Sequence, residues 1–305
     1  MTGEILTAFA PVFALVALGY AVRASGLMPR ELWGGINALN HRILLPAFLF
    51  ALIARSDLTA PGAAGLAAVA LAGGALLFTA AWLASTLLRS GRSETAALIA
   101  VAMLWNLVLT VALADRLLGP EAADRAAALV APGVILGAGA AVAAFAFAGA
   151  GSAGGALRRV AADPVVIACA AGALASLFGV LDAVPGLLAP LDMLGAGAMA
   201  VILLAMGAGL DLPALRGRLA PIAAAAALRS VAGPAIFITL AVLIGLDDQA
   251  RVIAALAGAA PGAAFTYAVA ADFRTEAPLV AGMLTLSVLT SLLALPVAAA
   301  IALSL

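Results

Sequence analysis

The residues best suited to binding chemistry lie in one apolar stretch, RVIAALAGAAPGAAFTYAVAAD, at positions 251–272. Pro261 removes a backbone donor and clashes with the preceding helical turn, so the carbonyl groups around Ala257 and Gly258 lose their intrahelical partners. Because proline is favoured in the first turn of a helix, a second half-helix is expected to begin there. The stretch therefore predicts two half-helices that meet inside an apolar environment.

The second half-helix would present the N–H groups of Gly262, Ala263 and Ala264 together with the positive end of its dipole, which favours an anion. Unpaired backbone at membrane depth is tolerated only inside protein or beside a cavity, so the break predicts a substrate site. Thr266 and Tyr267 follow the break, and each either contacts the substrate or packs in the core. A proline kink repaired by a neighbouring helix is the alternative to a site.

A second polar pair lies in the apolar segment TAALIAVAMLWNLVLTVAL at positions 95–113. Asn106 and Thr110 are one turn apart on the same helical face. The Asn106 amide could pair with the freed carbonyls of the later stretch, donate to a substrate carboxylate, or simply hold two helices together. Since the centre of this segment has neither glycine nor proline, we expect a continuous helix and a site with a single half-helix terminus.

Arg229 lies inside another apolar segment, at positions 220–244, and would be about 14 Å deep at 1.5 Å per residue. An arginine at the centre of a spanning helix costs about 2.5–3.5 kcal/mol on insertion scales, so its side chain should face protein or water. Two roles remain open. Arg229 either attracts and binds a substrate carboxylate, or it snorkels to the cytoplasmic interface.

His41 and Arg42 lie in the polar first half of the apolar segment at positions 34–54. Because histidine is the residue type that titrates near neutral pH, these two residues are the candidates for proton coupling; an interfacial histidine at the cytoplasmic end is the alternative. Sodium coupling would need several oxygen ligands, and Thr110, Thr266 and the freed carbonyls have no buried carboxylate beside them. We therefore expect uncoupled or proton-linked movement of an anion.

The composition indicates a membrane protein. Apolar residues make up 66% of the 305-residue chain and charged residues 10%, well below the quarter usual in soluble domains. The formal net charge is zero, so we expect no nucleic acid partner, and the partners are the lipid bilayer and a small substrate. One cysteine and one histidine are too few for a metal cluster or a histidine-based triad. We expect no enzyme activity, no metal and no other cofactor.

Ten apolar segments are long enough to cross a bilayer, which takes about twenty helical residues. The glycine-rich stretch 151–155 is predicted to be a linker that divides the chain into two five-helix repeats, residues 1–150 and 151–305. Asp163 and Asp247 precede later spans and are predicted to cap them. The predicted fold class is an all-α polytopic membrane protein of ten transmembrane helices, at positions 5–22, 34–54, 64–88, 95–113, 126–148, 164–181, 187–210, 220–244, 251–271 and 277–303.

The loop arginines predict the orientation of the chain. Nine lie on one side of the expected spans and four on the other, so by the positive-inside rule the first side is cytoplasmic and both termini are outside. Because each repeat has an odd number of spans, the second repeat is inverted relative to the first, as in inverted-repeat transporters. The two sets are Arg23, Arg30, Arg89, Arg92, Arg158, Arg159, Arg216, Arg218 and Arg274, against Arg55, Arg116, Arg125 and Arg251.

Short motifs spread over the whole chain carry a family resemblance. They are PVF at 11–13, GY at 19–20, LPAFLF at 45–50, Asn106, DP at 163–164, residues 260–267, LS at 286–287 and Pro296. In their order and spacing, the chain resembles the auxin efflux carrier family of transporters, especially its small bacterial members. One departure is local: Val108, Val111 and Leu113 stand where the family has glycines and a proline after the asparagine.

The resemblance implies a scaffold part, made of spans one, two, six and seven, and a transport part, made of spans three to five and eight to ten. It implies a fold similar to bile-acid sodium symporters and sodium–proton antiporters, with a broken ninth helix beside the substrate. The implied substrate is a small organic anion such as auxin, malonate or malate, and the implied assembly is a homodimer formed through the scaffold helices.

Together these observations predict a secondary transporter or facilitator of small organic anions in the bacterial cytoplasmic membrane, working by alternating access. Two alternatives remain open at this point. One is a sodium-coupled organic-anion symporter of the bile-acid type, and the other is a membrane receptor that does not transport.

Overall fold

The computed structural model describes residues 2–150, 153–184, 186, 188–264, 266, 270 and 277–305. None of these residues belongs to a named strand, and the all-α class is confirmed. Within the described part of the chain, seven helices are long and apolar enough to cross a membrane by length and composition. The described α-helices are α1 (Thr2–Ala24), α2 (Arg30–Leu39), α3 (Leu45–Arg55), α4 (Ala63–Leu87), α5 (Arg92–Met103), α6 (Leu107–Leu118), α7 (Pro120–Phe145), α8 (Ala153–Ala161), α9 (Pro164–Leu177), α10 (Val180–Ala183), α11 (Leu188–Ala208), α12 (Leu219–Ala227), α13 (Gly233–Ile244), α14 (Asp248–Ala259) and α15 (Ala277–Ser304).

Three π-helical segments interrupt or extend these helices. Asn40–Leu44 joins α2 to α3, Leu228–Ala232 joins α12 to α13, and Ala146–Ala150 follows α7. A π-turn widens the helix by one residue and turns the following side chains to a new direction, and such turns are frequent at functional sites. The first segment carries His41 and Arg42 and the second carries Arg229, all of them ionisable residues that the sequence analysis singles out inside apolar segments.

The expectation of a continuous fourth helix is wrong. Helix α5 ends at Met103 and α6 begins at Leu107, and the residues between them are extended. No glycine or proline is needed for this break, because the backbone groups that leave the helix find partners elsewhere in the protein. The Leu104 carbonyl accepts from the N–H of Ala263, and the Asn106 N–H donates to the carbonyl of Pro261.

Two helices begin with the aspartate caps that the sequence predicts, whereas the predicted linker at positions 151–155 is partly helical. The Asp163 carboxylate accepts from the Val165 N–H at the start of α9, and the Asp247 carboxylate accepts from the Ala250 N–H at the start of α14. Both are side-chain caps of the expected kind. The stretch expected to be a linker is helical from Ala153 onwards, as part of α8, while Gly151 and Ser152 lie outside the described residues.

Asp247 also receives a hydrogen bond from the Arg125 guanidinium, which holds the pKa of this carboxyl below its usual 3.8. Asparagine at this position would keep the cap and lose the ion pair, so Asp247→Asn should cost about 0.2–1 kcal/mol of stability at neutral pH. A lowered pKa stabilises the folded state above the unfolded value, and this stability is lost as the pH falls through the folded value. The difference in melting temperature between variant and wild type should therefore narrow as the pH falls below about 3.8, the usual pKa of this carboxyl; a gap that stayed constant would contradict the assignment.

Helices α1 and α11 touch backbone to backbone through two glycines. A Cβ atom built on Gly19 would lie 2.0 Å from the Leu204 carbonyl oxygen, and one built on Gly207 would lie 1.8 Å from the Val16 carbonyl oxygen. Membrane helices use small residues in this way, because there is no hydrophobic force between them and close contact supplies the attraction. This pair of glycines fixes the separation of the two helices.

The described helices pack in two groups. In one, α1 packs on α11, and α3 packs on both α9 and α11. In the other, α4, α5, α6 and α14 surround α7, and α13 packs along α14. The groups touch where α3 and α9 meet α7, and where α1 and α11 meet α6, the helix that begins immediately after Asn106. Asn106 therefore lies at one of the contacts between the two groups.

Candidate functional site

The breaks in the two polar stretches lie against each other and form a crossover, defined here as residues 104–106 and 260–263. Trp105 and Gly262 form an antiparallel β-bridge. It is flanked by the hydrogen bond from Asn106 N to Pro261 O, at 2.8 Å, and the one from Ala263 N to Leu104 O, at 2.7 Å. Backbone groups that two interrupted helices leave unpaired are thus satisfied by each other, which is how a membrane protein tolerates irregular chain at depth.

Asn106 uses its groups in three directions. Its side-chain oxygen accepts from the Leu109 N–H at 3.1 Å and caps α6, while its backbone N–H pairs with Pro261. The contact with the later stretch is therefore made by the backbone and not by the side chain. The amide nitrogen Nδ2 lies 3.2 Å from the sulfur of Met206, on α11. Because a thioether is a weak acceptor, this buried donor is poorly satisfied and would gain from a stronger partner.

Thr110 lies one turn beyond Asn106, as its spacing predicts. The residue is fully buried, and its hydroxyl donates to the Asn106 carbonyl at 3.4 Å, within the same helix. In this arrangement the Thr110 hydroxyl is used inside α6 and stabilises the turn that follows the cap.

The expected anion cradle beyond Pro261 is partly occupied by protein groups. The Gly262 N–H donates to the hydroxyl of Ser287 at 3.2 Å, and the Ala263 N–H pairs with Leu104. The expectation that both would be open to an anion is therefore wrong for this conformation. A Cβ on Gly262 would also lie 2.7 Å from a methyl group of Leu284, so the turn is closely packed.

Thr266 is the polar residue beyond the break that the structure describes. Its N–H donates to the Ala263 carbonyl at 3.0 Å. Its hydroxyl is buried and has no hydrogen-bond partner among the described residues, so it retains the capacity to bind a substrate oxygen or a water molecule. Tyr267, which the sequence also predicts as a contact, lies outside the described residues.

Arg229 is fully buried and points at the crossover, so it does not snorkel to the interface. Its Nε donates to the Ala260 carbonyl at 2.8 Å, Nη1 to the Ala102 carbonyl at 3.1 Å, and Nη2 to the Ala257 carbonyl at 2.7 Å. The guanidinium carbon also lies 5.9 Å from the ring centre of Trp105, in cation–π range. With each of its nitrogens bonded to backbone, Arg229 holds the crossover together and does not reach an open substrate position.

His41 belongs to a different place. Its Nε2 lies 3.1 Å from the carboxylate of Asp163, whose other oxygen caps α9, so the contact ties the segment Asn40–Leu44 to the start of α9. Arg42 is exposed. The structure thus brings Asn106, Thr110, Arg229 and residues 261–263 together with Thr266, and it does not bring His41 or Arg42 to them.

The sequence does not predict three residues that belong to the crossover or contact it. Trp105 is part of the crossover, Met206 contacts Asn106, and Ser287 contacts Gly262. The Trp105 indole is buried between Phe237 and Gly133. A Cβ atom built on Gly133 would lie 2.1 Å from the Trp105 ring, so the ring packs directly against the backbone of α7. A methionine, a tryptophan and a serine in apolar segments have no pattern that marks them. One signal was available for the break itself, since an asparagine in mid-segment is a strong helix N-cap and can mark the start of a half-helix.

Two surface cavities open near the ends of helices. The larger, of about 850 Å³, lies between the start of α1 and the end of α6, with Arg116 in its wall. The smaller, of about 390 Å³, lies between the ends of α3 and α9. Neither of these two cavities is lined by crossover residues.

Comparison with known proteins finds a family match in the second half of the chain. Residues 156–299 match the family model described as a membrane transport protein. The matched region contains Arg229, the break at Pro261 and Ser287. No curated protein matches the chain.

Proposed function

We propose that this chain, whose residues 156–299 match the family model described as a membrane transport protein, is a secondary transporter of small organic anions that works by alternating access. The match of residues 156–299 supports the resemblance to the auxin efflux carriers, and the apolar helices support a multi-pass membrane protein. The observation that carries the proposal is the crossover, where Asn106 presents a poorly satisfied amide donor to Met206.

The proposed topology is ten spans in two inverted repeats, residues 1–150 and 151–305, with both termini outside the cytoplasmic membrane. Its support is the equivalence of the two breaks. The expected fourth span breaks at Asn106 and the expected ninth at Pro261, and each is the fourth span of its repeat. Inverted repeats with broken helices at their interface are the usual layout of secondary transporters.

The proposed transport step is a movement of the group around α7 against the group that contains α1, α3, α9 and α11. The contact between Asn106 and Met206 joins these two groups, so a substrate bound at Asn106 would lie on the sliding surface. A carboxylate oxygen is a far stronger acceptor than a thioether, and the hydrogen bond to it is charge-assisted. The substrate would displace the Met206 side chain and accept a hydrogen bond from the Asn106 amide. It would also bond to the hydroxyl of Thr266, which has no partner among the described residues.

Uptake into liposomes tests the proposal directly. We expect labelled malonate, malate or indole-3-acetate to enter above the level of empty liposomes and of Pro261→Leu, with no gradient, a proton gradient or a sodium gradient imposed. The gradient that accelerates uptake would identify the coupling. Failure of all three compounds under every condition would reject the carboxylate carrier and favour other substrates or a receptor.

Met206 offers a test of the substrate position. Leucine has a similar volume and no acceptor, so Met206→Leu should fold normally and carry substrate with an unchanged or lower KM. Glutamine would place an amide oxygen against Asn106, which competes with the substrate, so Met206→Gln should raise KM by about 2–10-fold. Equal KM values for the two variants would place the substrate elsewhere.

A further inference from the structure

The side chain of Arg229 is a buried charge held entirely by backbone oxygens. Its three acceptors are the carbonyls of Ala102, Ala257 and Ala260, and no ion pair between described residues includes it. A buried cation normally needs a carboxylate partner or several good acceptors. Here the acceptors are backbone groups.

Two of these carbonyls are unpaired for a definite reason. In a continuous helix the Ala257 carbonyl would accept from residue 261, which is proline and has no N–H. The Ala102 carbonyl would accept from Asn106, whose N–H has gone to Pro261 instead. Each broken span therefore frees a carbonyl at the C-terminal end of its first half-helix, and Arg229 bonds to both.

The electrostatics follow from the same geometry. A helix C-terminus carries about half a negative charge, so the ends of α5 and α14 together present about one negative charge in an apolar interior. One guanidinium neutralises them. Converging carbonyls and half-helix C-termini are also the groups with which transporters of this general construction bind a coupling cation.

We propose that Arg229 is a tethered cation that occupies the cation position of the crossover, so that the crossover assembles without a dissolved ion. Removing its side chain should leave a cradle of three carbonyls that a small free cation can enter. The proposal rests on the proposed transport function only for its last measurement. Arg229 is a positioning residue in this account, since its nitrogens are bonded to backbone and not to substrate.

The first measurement is the melting temperature of the purified full-length chain in detergent. Arg229→Ala should melt about 5–10 °C below wild type, because the two helix ends lose their counter-charge. Methylguanidinium at about 10 mM should restore at least half of that loss by binding the vacated cradle. Wild type and Arg216→Ala, which removes an exposed arginine from the surface, should not be stabilised by the same addition. Absence of selective rescue would overturn the proposal.

Two further variants decide the matter if Arg229→Ala does not fold. Arg229→Lys keeps the charge, whereas Arg229→Gln keeps hydrogen-bond donors without charge. The lysine variant should be the more stable of the two, because the helix ends need a positive charge. A glutamine variant as stable as wild type, or more stable than the lysine variant, would show that no cation is needed.

The last measurement separates this inference from the transport function. Wild-type uptake should be unchanged when sodium is replaced by potassium or choline, and methylguanidinium should restore uptake by Arg229→Ala. Uptake that requires sodium in the wild type would reject the tethered cation while leaving the transporter in place. Absence of uptake by the wild type, together with selective thermal rescue of the variant, would reject the carboxylate carrier and leave the tethered cation standing.

Discussion

Replacing Asn106 by aspartate is expected to lower carboxylate uptake about 100-fold while the protein remains folded. Aspartate keeps the oxygen that accepts from the Leu109 N–H, and the N-terminus of α6 favours a negative charge at this position. It loses the donor that faces Met206 and places a like charge against the substrate. Loss of a hydrogen bond to a charged group alone lowers binding about 10–100-fold, and repulsion adds to it. We therefore expect a fall of about 100-fold in kcat/KM for uptake.

Serine at the same position is the matched control. It is as good a helix cap as asparagine and carries no charge, but its hydroxyl is too short to reach the position of the amide nitrogen. Asn106→Ser should melt close to wild type and retain more uptake than Asn106→Asp. The melting temperature of each purified variant separates a lost site from a lost fold. Uptake at the wild-type rate by a well-folded Asn106→Asp would remove this residue from the substrate site.

The features that the sequence predicts correctly are those that depend on neighbours in the chain. Pro261 breaks its helix because its own ring and missing N–H act on the preceding turn. Asp163 and Asp247 cap helices because their carboxylates reach N–H groups within three residues. These effects operate over one or two turns, so they can be identified without knowing the fold.

The features that the sequence does not predict depend on residues far apart in the chain. Arg229 bonds to carbonyls that lie 31 and 127 residues away, and neither its depth nor its neighbours reveal which side it faces. The break before Asn106 has no local cause, because its lost helical bonds are replaced by Pro261 and Ala263. At this break, tertiary hydrogen bonds outweigh the local preference for a continuous helix. The sequence identifies the stretches 95–113 and 251–272 separately, but it does not reveal the geometry of their contact.

Valine in place of Gly207 is expected to prevent normal assembly of the α1–α11 pair. A Cβ at this position would lie 1.8 Å from the Val16 carbonyl oxygen and 3.0 Å from the Tyr20 nitrogen, both of which are backbone atoms. Backbone cannot move aside as a side-chain tip can, so the helices must separate and lose their contact along the whole interface. We expect a loss of about 3 kcal/mol or more, measured as a melting temperature lowered by about 10 °C or a failure to purify as a single species.

Gly197 provides the control on the same helix, since a Cβ added there meets nothing within 4 Å. Gly197→Val should purify and melt close to wild type, which would show that helix α11 tolerates valine as such. Alanine at Gly207 should give an intermediate loss, because its single methyl group already meets the Val16 oxygen. If Gly207→Val were as stable as Gly197→Val, the two helices would have to be farther apart than this structure places them. The glycine contact would then not set their separation, and the surface against which Asn106 is proposed to slide would be loosely held.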